Sequence, residues 1–178
     1  MLFRSPFAVC RTGVGRTFQV VRPFPRMSVL HNVVIGAFPF EQDADAAYTR
    51  AREAIRRVGL ANSAALLAST LTTVEVRLME IARALASRPT LLLLDEILAG
   101  LGSAEVEHVL KVIDGVRSEG ITVVVIEHTM HAMVRLADRL LVLDHGSVLA
   151  SGEPHAVTSD SAVIEAYLGK RWLARAAD

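Results

Sequence analysis

Apolar positions in this chain follow a helical period through its first half and gather into short continuous runs in its second. Residues 6–12 are predicted to begin a short helix that ends at Gly13 and Gly15, and Arg16-Thr17-Phe18-Gln19 is too short and mixed to assign. Pro23 and Pro25 then break any regular element, because proline lacks the N–H that a ladder needs. From Ser28, a residue suited to capping, a helix carries Val29, Val33 and Ile35 on one face and stops at Gly36. A longer helix over 43–58 places Ala47, Ala51, Ala54, Ile55 and Val58 at helical spacing, with Gly59 as its stop. Residues 20–87 therefore read as all-helical.

Beyond them the period shortens. Leu91 to Leu94 is a continuous apolar run, Ser103 to Ser118 is an amphipathic helix stopped near Gly120, and Ile121 to Ile126 is rich in β-branched residues. A helix over 130–137 and an apolar run over 140–143 come next. Asp144-His145-Gly146 turns the chain into Val148 to Ala150 as a hairpin, and short helices are expected at 154–159 and 161–168. Strands alternating with helices predict an α/β fold whose parallel sheet is covered on both faces, since parallel neighbours need crossover connections.

At 178 residues the chain has the size of one domain. Hydrophobic residues make up 52% of it and the mean hydropathy is +0.38, which raises the question of a membrane span. The two most apolar runs answer it by stopping at Asp95-Glu96 and Glu127-His128, far short of the roughly 18 residues a span requires. Lys plus Arg number 19 and Asp plus Glu 19, so no net field draws the chain to nucleic acid, and no nucleic-acid partner is expected. The single cysteine, Cys10, cannot make an internal disulfide, and the opening residues lack a secretory h-region; both fit a cytosolic compartment.

Chemistry concentrates where the apolar runs end. Leu91-Leu92-Leu93-Leu94-Asp95-Glu96 ends a sheet strand in two acids, and ligands of open α/β sheets sit at the carboxyl ends of strands. An aspartate there suits a hydrated magnesium ion, and a neighbouring glutamate suits positioning a water for attack on a phosphate. The plainer alternative is that the acids cap the next helix or face solvent. A second strand end, Glu127-His128 after Ile126, favours a site over that alternative. Reading Glu127-His128-x-x-His131 as a metal site would need a third ligand, and no cysteine is near. His31, His108, His145 and His155 are scattered and read as surface or turn residues, and Cys10 as a small hydrophobe.

Five ordered motifs together carry a family resemblance. Gly15-Arg16-Thr17-Phe18-Gln19, followed by Phe24-Pro25-x-Met27-Ser28-Val29-Leu30-x-Asn32-Val33, resembles the Q-loop region of the ATP-binding subunits of branched-chain amino acid ABC transporters. Glu80 to Ala86, running through Pro89 into Leu91 to Glu96, is similar to the family's signature helix and Walker B strand. Ala99-Gly100-Leu101 resembles its D-loop, Ile126-Glu127-His128 its H-loop, and Leu136 to Arg139 through Leu143 to Gly146 its next strand and turn. Gly152-Glu153-Pro154 and Val163 to Gly169 resemble its ending.

The resemblance implies a fold: a P-loop NTPase-like ABC cassette with a parallel sheet flanked by helices and an α-helical subdomain, missing the N-terminal strands. Residues 1–19 would be a remnant of the core leading to the Q-loop, 20–87 the helical subdomain, and 88–178 the α/β core. It also implies ATP and Mg as cofactors, with Asp95 and Gln19 toward the magnesium, Glu96 on the attacking water and His128 on the terminal phosphate. Thr72 and Thr73 of the signature and Gly100 of the D-loop would face nucleotide bound across a pair of cassettes. Implied partners are transmembrane permease subunits and a second ATP-binding cassette, identical or not, at the cytoplasmic face of the plasma membrane.

Three departures qualify these expectations. No Gly-x-x-x-x-Gly-Lys-Ser/Thr string occurs in the 178 residues; in the family it precedes the Q-loop, which would put it before Met1. Leu71-Thr72-Thr73-Val74-Glu75 stands where the family has Leu-Ser-Gly-Gly-Gln, so a β-branched Val74 replaces a glycine that lets backbone approach phosphate. Ile97 replaces the customary proline after Glu96. A phosphate loop supplies several charge-assisted bonds of about 1.5–3 kcal/mol each, against about 8 kcal/mol for a micromolar affinity. The expectation is thus an isolated chain that neither binds ATP tightly nor hydrolyses it, or else a non-catalytic protein that docks on a transmembrane or ATPase partner. In the family the loop's strand lies beside the counterpart of 121–126, so that strand is expected to lack a neighbour and the chain to be marginal alone.

Overall fold

Residues 5–19, 21–41 and 43–168 are described by a computed structural model, and the expectations that touch Met1 to Arg4 and Gly169 to Asp178 lie outside it. Contacts divide the chain after Glu127 into two compact units.

The first unit opens with α1 (Pro6–Cys10), capped by Ser5, whose hydroxyl accepts from Ala8 N–H. Next comes β1 (Val14–Arg16); Gly13 and Gly15 flank its first residue and no periodicity marks three residues, so the sequence did not disclose it. Its register comes from its neighbour: Val14, Gly15 and Arg16 pair in parallel with Leu91, Leu92 and Leu93. The helical stretch contains α2 (Val29–Val34), α3 (Ala44–Arg57) and α4 (Thr73–Leu85), capped by the side chains of Ser28, Asp43 and Thr72 as the polar residues ahead of each apolar run dictate. Gly59, at φ +79°, ends α3's exit in the left-handed region that glycine enters without penalty. Asn32 is fully buried in α2 and holds the preceding proline-rich loop, accepting from Phe24 N–H at 2.8 Å and donating to the carbonyls of Phe24, Met27 and Ser28. Gly36 lets α2's end lie on α4, since a Cβ there would overlap the carbonyl oxygen of Arg83.

β2 (Leu91–Asp95), α5 (Ser103–Ser118) and β3 (Thr122–Ile126) complete a three-stranded parallel sheet in the order β1-β2-β3. Registered partners share a face, so Gly15, Leu92 and Val123 lie on one side; Leu92 and Leu94 are fully buried there. α4 reaches that side, because a Cβ on Gly15 would stand 3.2 Å from the carbonyl oxygen of Ala84. The opposite side differs from the expected double cover: β3 forms the sheet's edge among the described residues, with Val124 47% and Ile126 61% exposed. Apolar content alone predicts burial of every β-branched position, but burial requires a layer over each side chain, and Val124 and Ile126 lie on an edge strand.

The second unit holds α6 (Met130–Leu136), β4 (Leu140–Asp144), β5 (Ser147–Gly152), α7 (Pro154–Thr158) and α8 (Ser161–Leu168). β4 and β5 pair antiparallel as a separate two-stranded sheet rather than extending the parallel one. His145 and Gly146 both have positive φ, the geometry of a two-residue turn whose twist matches the strands it joins. Leu140, Val157 and Val163 form its small core, with Met130, Met133 and Val142 packed on it.

Candidate functional site

The carboxyl ends of β1, β2 and β3 lie along one edge of the parallel sheet, and short hydrogen bonds tie the residues just past β1 to β2 and those just past β2 to β3. Thr17, fully buried, extends the ladder by donating its N–H to Leu93 O at 3.0 Å, and its hydroxyl accepts from Asp95 N–H at 3.2 Å. Glu96 donates its N–H to Ile126 O at 2.9 Å and so continues the β2–β3 pairing past the last strand residue. The two acids are thereby fixed between β1's exit and β3's end.

Each acid has a cross-chain partner. The guanidinium of Arg16 lies 3.3 Å from Asp95 Oδ2 and stacks 5.5 Å from the ring centre of Phe18. Arg16 is open to solvent, so the pair contributes no more than about 1 kcal/mol, but it sets the side of the carboxylate that carries positive charge. Gln19 Nε2 donates to Glu96 Oε2 at 2.7 Å. Glu96 itself stands at φ +46°, a left-handed conformation that costs a non-glycine residue about 1–2 kcal/mol and turns its side chain out of the strand direction.

Other groups brace these. Arg77 of α4 donates to Gln19 O at 3.3 Å and to Ala99 O at 3.4 Å, and Glu80 of the same helix accepts from Phe18 N–H at 3.2 Å. Glu80 is 2% exposed, and burial pushes its carboxyl above the ordinary glutamate value despite the opposing pull of Phe18 N–H and of Arg83 and Arg77. Arg83, itself desolvated, is held below the usual guanidinium range for the same reason. Glu127 accepts from Leu98 N–H at 2.8 Å and so shapes the turn after Glu96. Ile97 and Leu98 in that turn are buried, which accounts for an apolar residue directly after Glu96.

Of the residues singled out from sequence, Asp95, Glu96 and Gln19 are thus brought together. Thr72 and Thr73 stand at the exposed start of α4, where Thr72 is engaged in a capping box: its hydroxyl donates to Glu75 Oε2 at 2.9 Å and accepts from Glu75 N–H at 3.4 Å. Gly100 is exposed at φ +78°, with no atom near enough to meet an added Cβ. His128 begins the second unit, where its carbonyl accepts from the Tyr167 hydroxyl at 2.6 Å. Arg77 and Glu80 escaped the sequence reading, although a glutamate within the apolar run Leu78-Met79-x-Ile81-Ala82 was a visible anomaly.

Among the described residues no three His, Cys, Asp or Glu side chains gather closely enough to bind a metal by themselves. The donors that Asp95 and Gln19 offer are a carboxylate and a carboxamide oxygen. Gln19 commits its nitrogen to Glu96, which leaves its oxygen as the donor it offers, and hard oxygens of this kind fit magnesium, which takes few protein ligands and keeps its waters.

Comparison with known proteins places the chain in a family. A family model described as ABC transporter matches residues 5–99, and one described as branched-chain amino acid ATP-binding cassette transporter matches residues 147–172. The chain is 34% identical to the high-affinity branched-chain amino acid transport ATP-binding protein LivG of Escherichia coli, over 91% of this chain and 70% of that one. The corresponding protein BraF of Pseudomonas aeruginosa is likewise 34% identical with the same coverage. A crystal structure of an ATP-binding cassette of an ABC transporter in its ADP conformation superposes with a TM-score of 0.82 at 26% identity, over 94% of this chain and 72% of that one.

Proposed function

We propose, from the premise that this chain belongs to the ABC transporter family, that it acts as the ATP-binding subunit of an importer for branched-chain amino acids. The observation that carries the reading is the Gln19–Glu96 hydrogen bond of 2.7 Å beside Asp95, which joins two motifs 77 residues apart at the edge where α/β sheets take ligands. The names of the relatives supply the solute.

In this reading Asp95 and Gln19 hold magnesium, which supplies charge neutralisation for the phosphates. Glu96, held by Gln19 and freed from the strand direction by its positive φ, orients a water and accepts its proton at a carboxylate oxygen. Arg16 offsets part of Asp95's charge. The assignment of His128 to the terminal phosphate rests on its motif alone. Gly100 and the exposed Thr72 and Thr73 are assigned to contacts with a second cassette, and the helical stretch 20–87 to the transmembrane permease subunits. Within these 178 residues no glycine-rich phosphate loop is present, so their own affinity for Mg·ATP is proposed to be weaker than micromolar.

A backbone NMR titration with Mg·ATP to about ten millimolar, an order-of-magnitude ceiling far above a micromolar constant, tests the reading. Shifts should concentrate at 16–19 and 95–100 and vanish in Asp95→Asn. Saturation with no movement at those positions would overturn it. One feature favours a second reading, a non-catalytic subunit that docks on a transmembrane or ATPase partner: Val74 stands where the family has a glycine. That reading predicts undiminished partner binding in Glu96→Gln together with an absence of turnover in the native complex.

A further inference from the structure

Glu80 is a costly residue for its place. It lies within the buried face of α4 among Leu78, Met79, Ile81 and Ala82, and one of its two oxygens, Oε2, makes no hydrogen bond. Removing a carboxylate from water is unfavourable, and a buried ion pair is often matched or bettered by packed apolar side chains. Leucine would fill the same volume without that penalty. It could not, however, accept the N–H of Phe18, which Glu80 Oε1 does at 3.2 Å.

Arg77 lies three residues earlier, on the same helix face, and its guanidinium reaches the next residue of the same peptide segment, donating to Gln19 O at 3.3 Å. Its second nitrogen donates to Ala99 O at 3.4 Å, in the turn after Glu96. One side chain of α4 therefore joins the backbone of Gln19 to the turn that follows Glu96, while a second fixes the residue before Gln19. The start of that segment is tied to β2 by Thr17, through Leu93 O and Asp95 N–H.

We infer that Arg77 and Glu80 are positioning residues, a two-point clamp from α4 that sets the approach of the Gln19 amide to the Glu96 carboxylate. The inference rests on reading Gln19 and Glu96 as nucleotide-site residues for its functional meaning, but the geometry it asserts is independent of nucleotide. Neither residue touches the reacting atoms; each acts through the backbone of the 18–19 segment.

The sequence offers a direct readout, because its only glutamines are Gln19 and Gln42. In protein labelled with side-chain 15N-glutamine and free of nucleotide, the Gln19 amide should give a pair of signals displaced from those of a solvated amide. Glu96→Ala defines the unpaired position. Arg77→Met and Glu80→Met, which keep length and apolar bulk but remove the bonding groups, should each move the Gln19 signals to that unpaired position. Arg77→Lys, which keeps one donor, should restore part of the displacement. A folded Arg77→Met protein whose Gln19 signals stay where the native ones lie overturns the clamp, as does an unmoved signal in Glu80→Met; if Glu80→Met fails to fold, Arg77→Met, at a half-buried position, still decides. Loss of the Gln19–Glu96 signature in both variants, in a protein that Mg·ATP does not perturb, would uphold the clamp and reject only the nucleotide reading.

Discussion

The side-chain amide of Gln19 donates to the carboxylate of Glu96 at 2.7 Å across 77 residues of sequence, and Glu96 takes a left-handed backbone conformation to receive it. That conformation must be offset elsewhere in the fold. Glycine enters the left-handed region freely, whereas a Cβ costs about 1–2 kcal/mol there. Glu96→Gly should therefore be more stable than Glu96→Ala by about 1 kcal/mol, although both lose the same hydrogen bond. Urea denaturation of the two variants measures the difference, and equal midpoints would mean that the backbone at 96 carries no such strain.

Asn32 concerns stability rather than chemistry. Its buried amide satisfies Phe24 N–H and adds a second donor to the carbonyls of Phe24, Met27 and Ser28, which also accept from the N–H groups of Met27, Ala68 and Asn32. Asn32→Leu keeps the volume and strands Phe24 N–H, so a loss of about 1–3 kcal/mol is expected from an unsatisfied buried donor. A loss below about 1 kcal/mol would show that water takes the place of the amide.

Gly36 sets how closely α2's end approaches α4. Gly36→Ala places a methyl on the carbonyl oxygen of Arg83, and backbone oxygens yield less readily than side chains. A destabilisation of about 1–3 kcal/mol is expected from overpacking. Thermal unfolding of the variant gives the value, and a neutral result would require the two helices to slide apart without cost.

Two glutamates on α4 should respond to pH with opposite signs. Bonds to Thr72 hold Glu75 below its usual value of 4.5, so its folded-state pKa is depressed and its stabilisation is present above the unfolded pKa. That contribution disappears as pH falls through the folded value, so Glu75→Gln should cost stability at neutral pH and nothing in strong acid. Burial raises Glu80 above 4.5, so keeping it ionised destabilises the fold increasingly as pH climbs from the unfolded toward the folded value. Glu80→Gln retains an acceptor for Phe18 N–H and should gain on the native protein over that climb. Denaturation midpoints of both variants from acid to neutral pH test the signs, and parallel curves for native and Glu80→Gln protein would contradict the second.

Local rules in the sequence were enough to give the polar cap at Ser28, the stop at Gly59, the hairpin at His145-Gly146 and the acids that end Leu91 to Leu94, because each depends on neighbours within a few residues. The motifs, in their order, also marked Gln19, Asp95 and Glu96 as one group. Tertiary structure alone decided that Val14 to Arg16 is a strand, that β3 leaves Val124 and Ile126 exposed, and that Arg77 and Glu80 reach the peptide before and at Gln19. Each of those depends on which distant backbone lies alongside: a strand exists only with a partner, burial only beneath a layer, and a buried carboxylate finds its donor only after the chain between residues 18 and 80 has folded back on itself.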